Sequence, residues 1–271
     1  MFLYHTQNLM EEKDKLIKQL QDQIEKLLLK NKVLEQDIID HNNYRMTIFS
    51  NLSHEVRNPL NGIIGFSEIL STTDVSKEEQ VLYSEVVAES SKILMSILTD
   101  VFDIARIDAN RLNSYAVAFD LNDLIYGLYS DYKIKAEAKQ LNILLENLIS
   151  EPFIIISDPD VLTRILKKLL DNAIKFTKKG WIKLFYQVED ESIVFSVEDT
   201  GIGISETLWS NLFNRFITEE VSKSRNIGGT GLDLSLCNGL VRMLGGKIWY
   251  EPKGHEGSIF RFSIPHKQNE N

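Results

Sequence analysis

The chain has 271 residues, of which 30 are Lys or Arg and 39 are Asp or Glu, for a formal net charge of -9. That acidic balance, with no basic cluster placed to neutralise phosphates, excludes a general nucleic-acid binder. The single Cys237 excludes an internal disulfide framework and a multi-cysteine metal site, and no run of about 18 apolar residues is present to span a membrane. The length allows about two domains plus an extension, and Met1 to Tyr4 is too short for a signal peptide.

From Met10 to Ile38 the apolar residues Met10, Ile17, Leu20, Ile24, Leu27, Leu34 and Ile38 follow a heptad seam, interrupted by Lys13 and Asn31. The pattern predicts a parallel coiled coil. Asn31 falls on an a position, where a buried amide pairs with its mate across a two-stranded interface and sets register. A helix then continues through Tyr44, Ile48 and Leu52 to about Leu70. Ser76 and Glu79 form a capping box for a second helix, which carries Leu82, Val86, Ile93, Ile97, Val101 and Ile104 to about Arg111. Neither helix of such a hairpin buries its stripe alone, and two hairpins from a dimer make a four-helix bundle.

The first of these helices places His54 beside Glu55. A neutral imidazole has one nitrogen free as a nucleophile if something holds the proton on the other, and Glu55 is the nearest group to do so. Pro59 removes a backbone donor and is expected to kink the helix about one turn later.

Asp108 to Ser114 reads as a short linker. Beyond it Asn122 to Lys139 is predicted helical, Asn142 to Leu148 and Pro152 to Ser157 as strands, and Asp160 to Thr177 as a helix. Trp181 to Val188 and Ser192 to Asp199 alternate as strands about a turn at Glu189 to Glu191, and Ile248 to Glu251 with Ser258 to Ile264 make a last hairpin. The pattern is an α/β sandwich, one layer of sheet and one of helices. It carries three notable segments. Leu169 to Thr177 holds Asn172, whose amide oxygen is a hard neutral ligand suited to Mg²⁺. Asp199-Thr200-Gly201-Ile202-Gly203 ends a strand with glycines that let backbone approach a ligand and an Asp able to accept from an exocyclic amine. Gly228-Gly229-Thr230-Gly231-Leu232-Asp233-Leu234 opens a helix, where backbone amides point at phosphate oxygens.

The stretch Phe49 to Asn61 closely resembles the phospho-acceptor box of sensor histidine kinases of two-component systems. The three later segments resemble the ATP-binding boxes that these kinases share with gyrase-type ATPases, in the family's order. The resemblance covers about residues 40 to 266. It implies an α+β chain: a coiled-coil signalling helix at 1–42, a dimerisation and histidine phosphotransfer domain at 43–112, a Bergerat-type ATP-binding catalytic domain at 113–267, and a tail at 268–271. It further implies a homodimer in which Mg-ATP phosphorylates His54 and the phosphoryl group passes to an aspartate in the receiver domain of a response regulator. The cofactors would be ATP and Mg²⁺, with Asn172 on the metal, Lys175 at the phosphates or ribose and Phe176 near the adenine. Asp199, Gly201, Gly203, Gly229, Thr230, Gly231 and Leu232 would complete the nucleotide site, and Phe213 to Ile227 would form a lid over it.

Asn58 resembles the residue that positions water for dephosphorylating the regulator, and equally suits a helix-shaping role before Pro59. Two residues depart from the family pattern: Asp233 stands where a glycine is common, and Lys168 where a further asparagine is often found. They leave open a phosphatase-dominant protein or a catalytically attenuated dimeric scaffold. The expected setting is cytoplasmic, without membrane contact by this chain, as part of a longer sensor that can be membrane-anchored.

Overall fold

The computed structural model describes residues 52–109, 111–146, 151–215, 231–253 and 257–266 without interruption, together with isolated positions between 23 and 50. The chain divides into two units, Met1–Asn51 and Leu52–Asn271. In the first, every described position is helical; of the expected seam only Leu27 and Asn31 are among them, and the Leu27 side chain is exposed. The rest of the predicted coiled coil lies outside the described residues.

The second unit begins with a helical hairpin. Helix α1 is described over 52–72 and continues through Pro59 without interruption. The hydroxyls of Ser71 and Thr72 turn back onto the Glu68 carbonyl at 3.0 and 2.7 Å and close the last turn. Helix α2, Lys77–Asp108, starts at the expected capping box: Ser76 Oγ accepts from Glu79 N at 3.2 Å, and Glu79 Oε2 accepts from Ser76 N at 2.9 Å. The Phe66 and Tyr83 rings, 5.3 Å apart, join the two helices. The apolar stripe of α2 has two fates. Val81, Leu82 and Ile93 are exposed, whereas Ile97 and Ile104 are buried, and Ile104 belongs to the core of the following domain with Val101 and Ile107 packed against it.

That domain contains a strand absent from the sequence reading, β1 (Val117–Asp120). It pairs antiparallel with β3 (Ile154–Ser157), Val117 opposite Ser157. Asp120 caps α3 (Leu121–Ala138) by accepting from Asn122 N at 2.9 Å, and Asp158 caps α4 (Pro159–Phe176) by accepting from Asp160 N and Val161 N, both at 3.1 Å. Proline at N1 of α4 removes a donor that has no helical partner there. The second carboxylate oxygen of Asp158 accepts from Tyr115 N at 2.7 Å, while Arg111 N donates to Arg106 O at 2.8 Å, so both ends of the linker are anchored.

The main sheet has the order β2-β4-β5-β7-β6, from β2 (Asn142–Glu146), β4 (Trp181–Val188), β5 (Ser192–Asp199), β6 (Lys247–Pro252) and β7 (Ser258–Pro265). Only the β2–β4 pair is parallel. Helix α3 packs on β2, α4 on β4 and β5, and α5 (Asp233–Met243) on β6 and β7. Leu162, Ile165, Leu166, Leu169 and Leu170 of α4 are fully buried, each such side chain contributing roughly 1.5–3 kcal/mol. On the sheet side Phe195 stacks on Phe262 with centroids 4.7 Å apart. The layered sandwich expected from the sequence is thus present, with α4 at its centre and its C-terminal end beside the end of β5.

Candidate active site

His54 and Asn58 lie one turn apart on α1 and are exposed; Glu55 between them is partly buried. On α4, residues 168, 172 and 175 follow a spacing of four and three, which puts Lys168, Asn172 and Lys175 on one stripe. Phe176 closes the helix, its ring centroid 5.1 Å from the Lys175 ammonium. Burial lowers the Lys175 pKa, while the charges of Asp233 and Glu55 act in the opposite direction. The carboxylate next to His54 therefore lies within the electrostatic field of this lysine.

Asp199 at the end of β5 is buried. Its Oδ1 accepts from Gly201 N at 2.7 Å, and Ser258 N also donates to the carboxylate. Burial outweighs those bonds and pushes the Asp199 carboxyl up to about 6. Gly201 is a position that no other residue can fill: a Cβ there would stand 2.6 Å from the Phe176 carbonyl oxygen and 2.8 Å from Asp199 Oδ1. Ile202 N donates to that same carbonyl and Gly257 N to the Gly201 carbonyl, tying the end of α4, the turn after β5 and the β6–β7 hairpin together. Gly203 and Gly231 take φ of 70° and 64°, in the left-handed region.

The third segment is seen in part. Gly229 and Thr230 lie outside the described residues, as do residues 216–227 of the expected lid. Gly231 is described, and Leu232 is buried with its carbonyl accepting from Leu236 N at 2.8 Å, which opens α5. Of the expected lid only Phe213, Asn214 and Arg215 are described, and a short 3-10 helix, Glu206–Asn211, precedes them, where Trp209 Nε1 donates to Ile204 O at 2.9 Å.

These residues fit an adenine nucleotide with Mg²⁺. Asp199 can accept from an exocyclic amine, Gly201 lets the turn close against the end of α4 and the Asp199 carboxylate, Asn172 has an oxygen suited to Mg²⁺, and Lys175 with the opening of α5 can face phosphates. Thr177 Oγ1, next in the chain after Phe176, is buried without a protein partner.

Sequence reasoning missed how α2 is held against this domain. Lys168 donates to Asp233 Oδ1 at 2.8 Å and to Asp100 Oδ2 of α2 at 2.5 Å. Arg164, one turn earlier on α4, pairs with Asp103, and Arg215 pairs with Asp108. Burial raises the Asp100 pKa, Lys168 opposing it. Burial also pulls the Lys168 pKa down, but Asp233 and Asp100 outweigh it and hold the ammonium above its usual value. One cation stands between two carboxylates. The available signal was the placing of Asp100 and Asp103 among the apolar positions of α2, where a solvated face would not be.

Residues 157–268 match the family model described as histidine kinase-, DNA gyrase B-, and HSP90-like ATPase, and residues 44–110 the His Kinase A (phospho-acceptor) domain. The autoinducer 2 sensor kinase/phosphatase LuxQ of Vibrio parahaemolyticus is 32% identical over 232 residues, 83% of this chain and 27% of LuxQ. The sensor protein GacS of Pseudomonas syringae pv. syringae is 34% identical over 234 residues, 84% of this chain and 26% of GacS. The chain thus spans about a quarter of the length of these relatives. Among solved structures, full-length ShkA in complex with AMPPNP matches with a TM-score of 0.62 and 27% identity, over 81% of this chain and 45% of ShkA. Histidine kinase ThkA in complex with response regulator protein TrrA shares the fold, with a TM-score of 0.61 at 24% identity over 84% of this chain and 65% of ThkA.

Proposed function

Because the chain belongs to the sensor histidine kinases, we propose that it is a kinase core that autophosphorylates His54 from Mg-ATP and passes the phosphoryl group to an aspartate of a response regulator. The observation that carries this is the gathering of Asn172, Lys175, Asp199 and Gly201 about the end of α4, with Glu55 acting on the Lys175 charge. We assign residues 1–42 to the coiled-coil signalling helix, 43–112 to the dimerisation and phosphotransfer domain, 113–267 to the catalytic domain and 268–271 to a tail. The working form is a homodimer, and its setting is the cytoplasm; no helix among the described residues is long and apolar enough to cross a membrane.

In this reading the chain does positioning and electrostatic work. Asp199 accepts the exocyclic amine of the base, and the glycines at 201 and 203 let backbone close on the ring. Asn172 contributes its amide oxygen to Mg²⁺, which supplies charge neutralisation at the phosphates when bound. Lys175 and the amides opening α5, with Gly229, Thr230, Gly231 and Leu232, offset charge on the transferred group. Phe176 packs by the adenine. Glu55 holds the His54 proton on one nitrogen so that the other attacks in line.

The test is incorporation of γ-labelled phosphate from Mg-ATP, checked for an acid-labile, base-stable linkage. Label is expected in the wild type, and its absence from both His54→Ala and Asn172→Ala supports the assignment. Label retained by His54→Ala, or no label in folded wild-type dimer with several divalent metals, overturns it.

A second activity at the same face is dephosphorylation of the regulator, with Asn58 orienting the water. Asn58 is exposed one turn from His54, and one relative is described as a kinase/phosphatase. Asn58→Ala is expected to lose phosphatase activity and keep autophosphorylation; equal loss of both discounts the role.

A further inference from the structure

Lys168 sits on the stripe of α4 that carries Asn172 and Lys175, one turn before Asn172. Its ammonium is shared by Asp233, the first residue of α5, and Asp100, on a different helix of the preceding domain. Side-chain exposure is 21% for Lys168 and 8% for Asp100, so the pair is largely removed from water. Two carboxylates share this one ammonium, with Lys175 acting on Asp233 and Arg164 on Asp100 as further cations. A polyphosphate arriving beside the start of α5 would compete with those carboxylates for the ammonium. Asp233 and Lys168 both belong to the nucleotide domain; only Asp100 can depart, by release of α2.

We propose that Lys168 is a further polyphosphate-contacting residue, held by Asp100 when α2 is docked and turned to the phosphates when nucleotide binds, so that nucleotide and α2 compete for one ammonium. The inference rests on the nucleotide reading above. By linkage the competition is reciprocal: loss of Asp100 strengthens nucleotide binding, and nucleotide weakens the docking of α2. The contact has a convenient reporter, because a Cβ at Gly239 of α5 would lie 3.8 Å from the Ile107 Cβ, the usual separation in a disulfide.

The experiment measures binding of Mg-AMPPNP and of adenosine to the whole chain, its Asp100→Asn variant and, as a control on the neighbouring pair, its Asp103→Asn variant. Asp100→Asn is expected to bind Mg-AMPPNP roughly tenfold more tightly and adenosine unchanged, with a smaller gain for Mg-AMPPNP in Asp103→Asn, which loosens α2 but leaves Lys168 bonded to Asp100. In an Ile107→Cys, Gly239→Cys protein, Mg-AMPPNP is expected to slow disulfide formation and adenosine to leave it unaltered. A gain shared by adenosine, a gain in Asp103→Asn equal to that in Asp100→Asn, or a crosslinking rate indifferent to Mg-AMPPNP overturns the competition while leaving the nucleotide site intact. Failure of all three folded proteins to bind either ligand overturns the nucleotide reading itself, and the competition with it.

Discussion

The Lys168 ammonium lies 2.8 Å from Asp233 Oδ1, so the two residues that depart from the family's nucleotide boxes face each other as an ion pair. The two departures are one feature: removing Lys168 leaves two carboxylates without their cation, whereas removing Asp233 leaves Lys168 to Asp100 alone. Lys168→Met, which strands Asp100 and Asp233 together, is expected to lower the unfolding free energy by roughly 3 kcal/mol. Lys168→Asn combined with Asp233→Gly should recover part of that loss, with a coupling of about 1 kcal/mol or more. Urea unfolding of the single and double variants gives the value; strictly additive losses would show that the pair is not coupled.

Asp199 gives a pH signature. Its carboxyl is raised from 3.8 to about 6 by burial, so the folded state holds this proton more tightly than the unfolded one. The corresponding stabilisation is complete below the unfolded value and is lost as pH rises through about 6. Under the proposed nucleotide site ligand binding runs the other way, because there the ionised carboxylate would accept from the base amine. Adenosine affinity is expected to fall as pH drops below about 6, approaching tenfold per pH unit. Asp199→Asn should bind with a flat profile; a wild-type profile equally flat would remove Asp199 from base recognition.

Gly201→Ala inserts a methyl group 2.6 Å from a backbone carbonyl and 2.8 Å from the Asp199 carboxylate. Neither atom can yield without moving the end of α4 or the end of β5. The expected result is a stability loss of roughly 1–3 kcal/mol and loss of adenosine binding. A thermal melt and ligand titration matching the wild type would show that the turn adapts freely.

Gly239→Leu tests the docking of α2 from the other side. A Cβ at 239 already stands 3.0 Å from Ile107 Cδ1, and a larger side chain displaces the end of α2. Amide hydrogen exchange over residues 97–108 is expected to rise at least several-fold, with the catalytic domain's exchange unaltered. Slow exchange retained in that segment would place the hold on α2 in the ion pairs alone.

Strands β4 and β5 have the bounds their alternation predicts, and the Ser76–Glu79 capping box is formed as read, because both signals are local. Strand β1 escaped notice because four residues give little alternation, and its partner β3 lies beyond α3 and β2. The lower half of α2 was read as facing a helical bundle, and its apolar spacing is compatible with that. Beside the apolar packing of Ile104 and Ile107, what holds it to the catalytic domain is Arg164 and Lys168, more than 60 positions away from Asp103 and Asp100. Such a pairing has no periodicity to reveal it. The cluster about the end of α4 was legible because Asn172, Lys175 and Phe176 sit within about one helical turn and Asp199, Gly201 and Gly203 within one strand-ending turn. The contribution of Ser258, which donates to Asp199 across the sheet, could be found only from the strand register.

The two anchors of the linker set the scale of any rearrangement. Arg111 is bonded back to Arg106, Leu112 packs against the domain core and Tyr115 is held by the cap of α4, so the stretch left to pivot is Asn113 and Ser114, about 7 Å when extended. A catalytic domain released from α2 therefore swivels on a short leash. Its effective concentration at the helix it has left stays in the millimolar range, and re-docking is governed by orientation rather than by search.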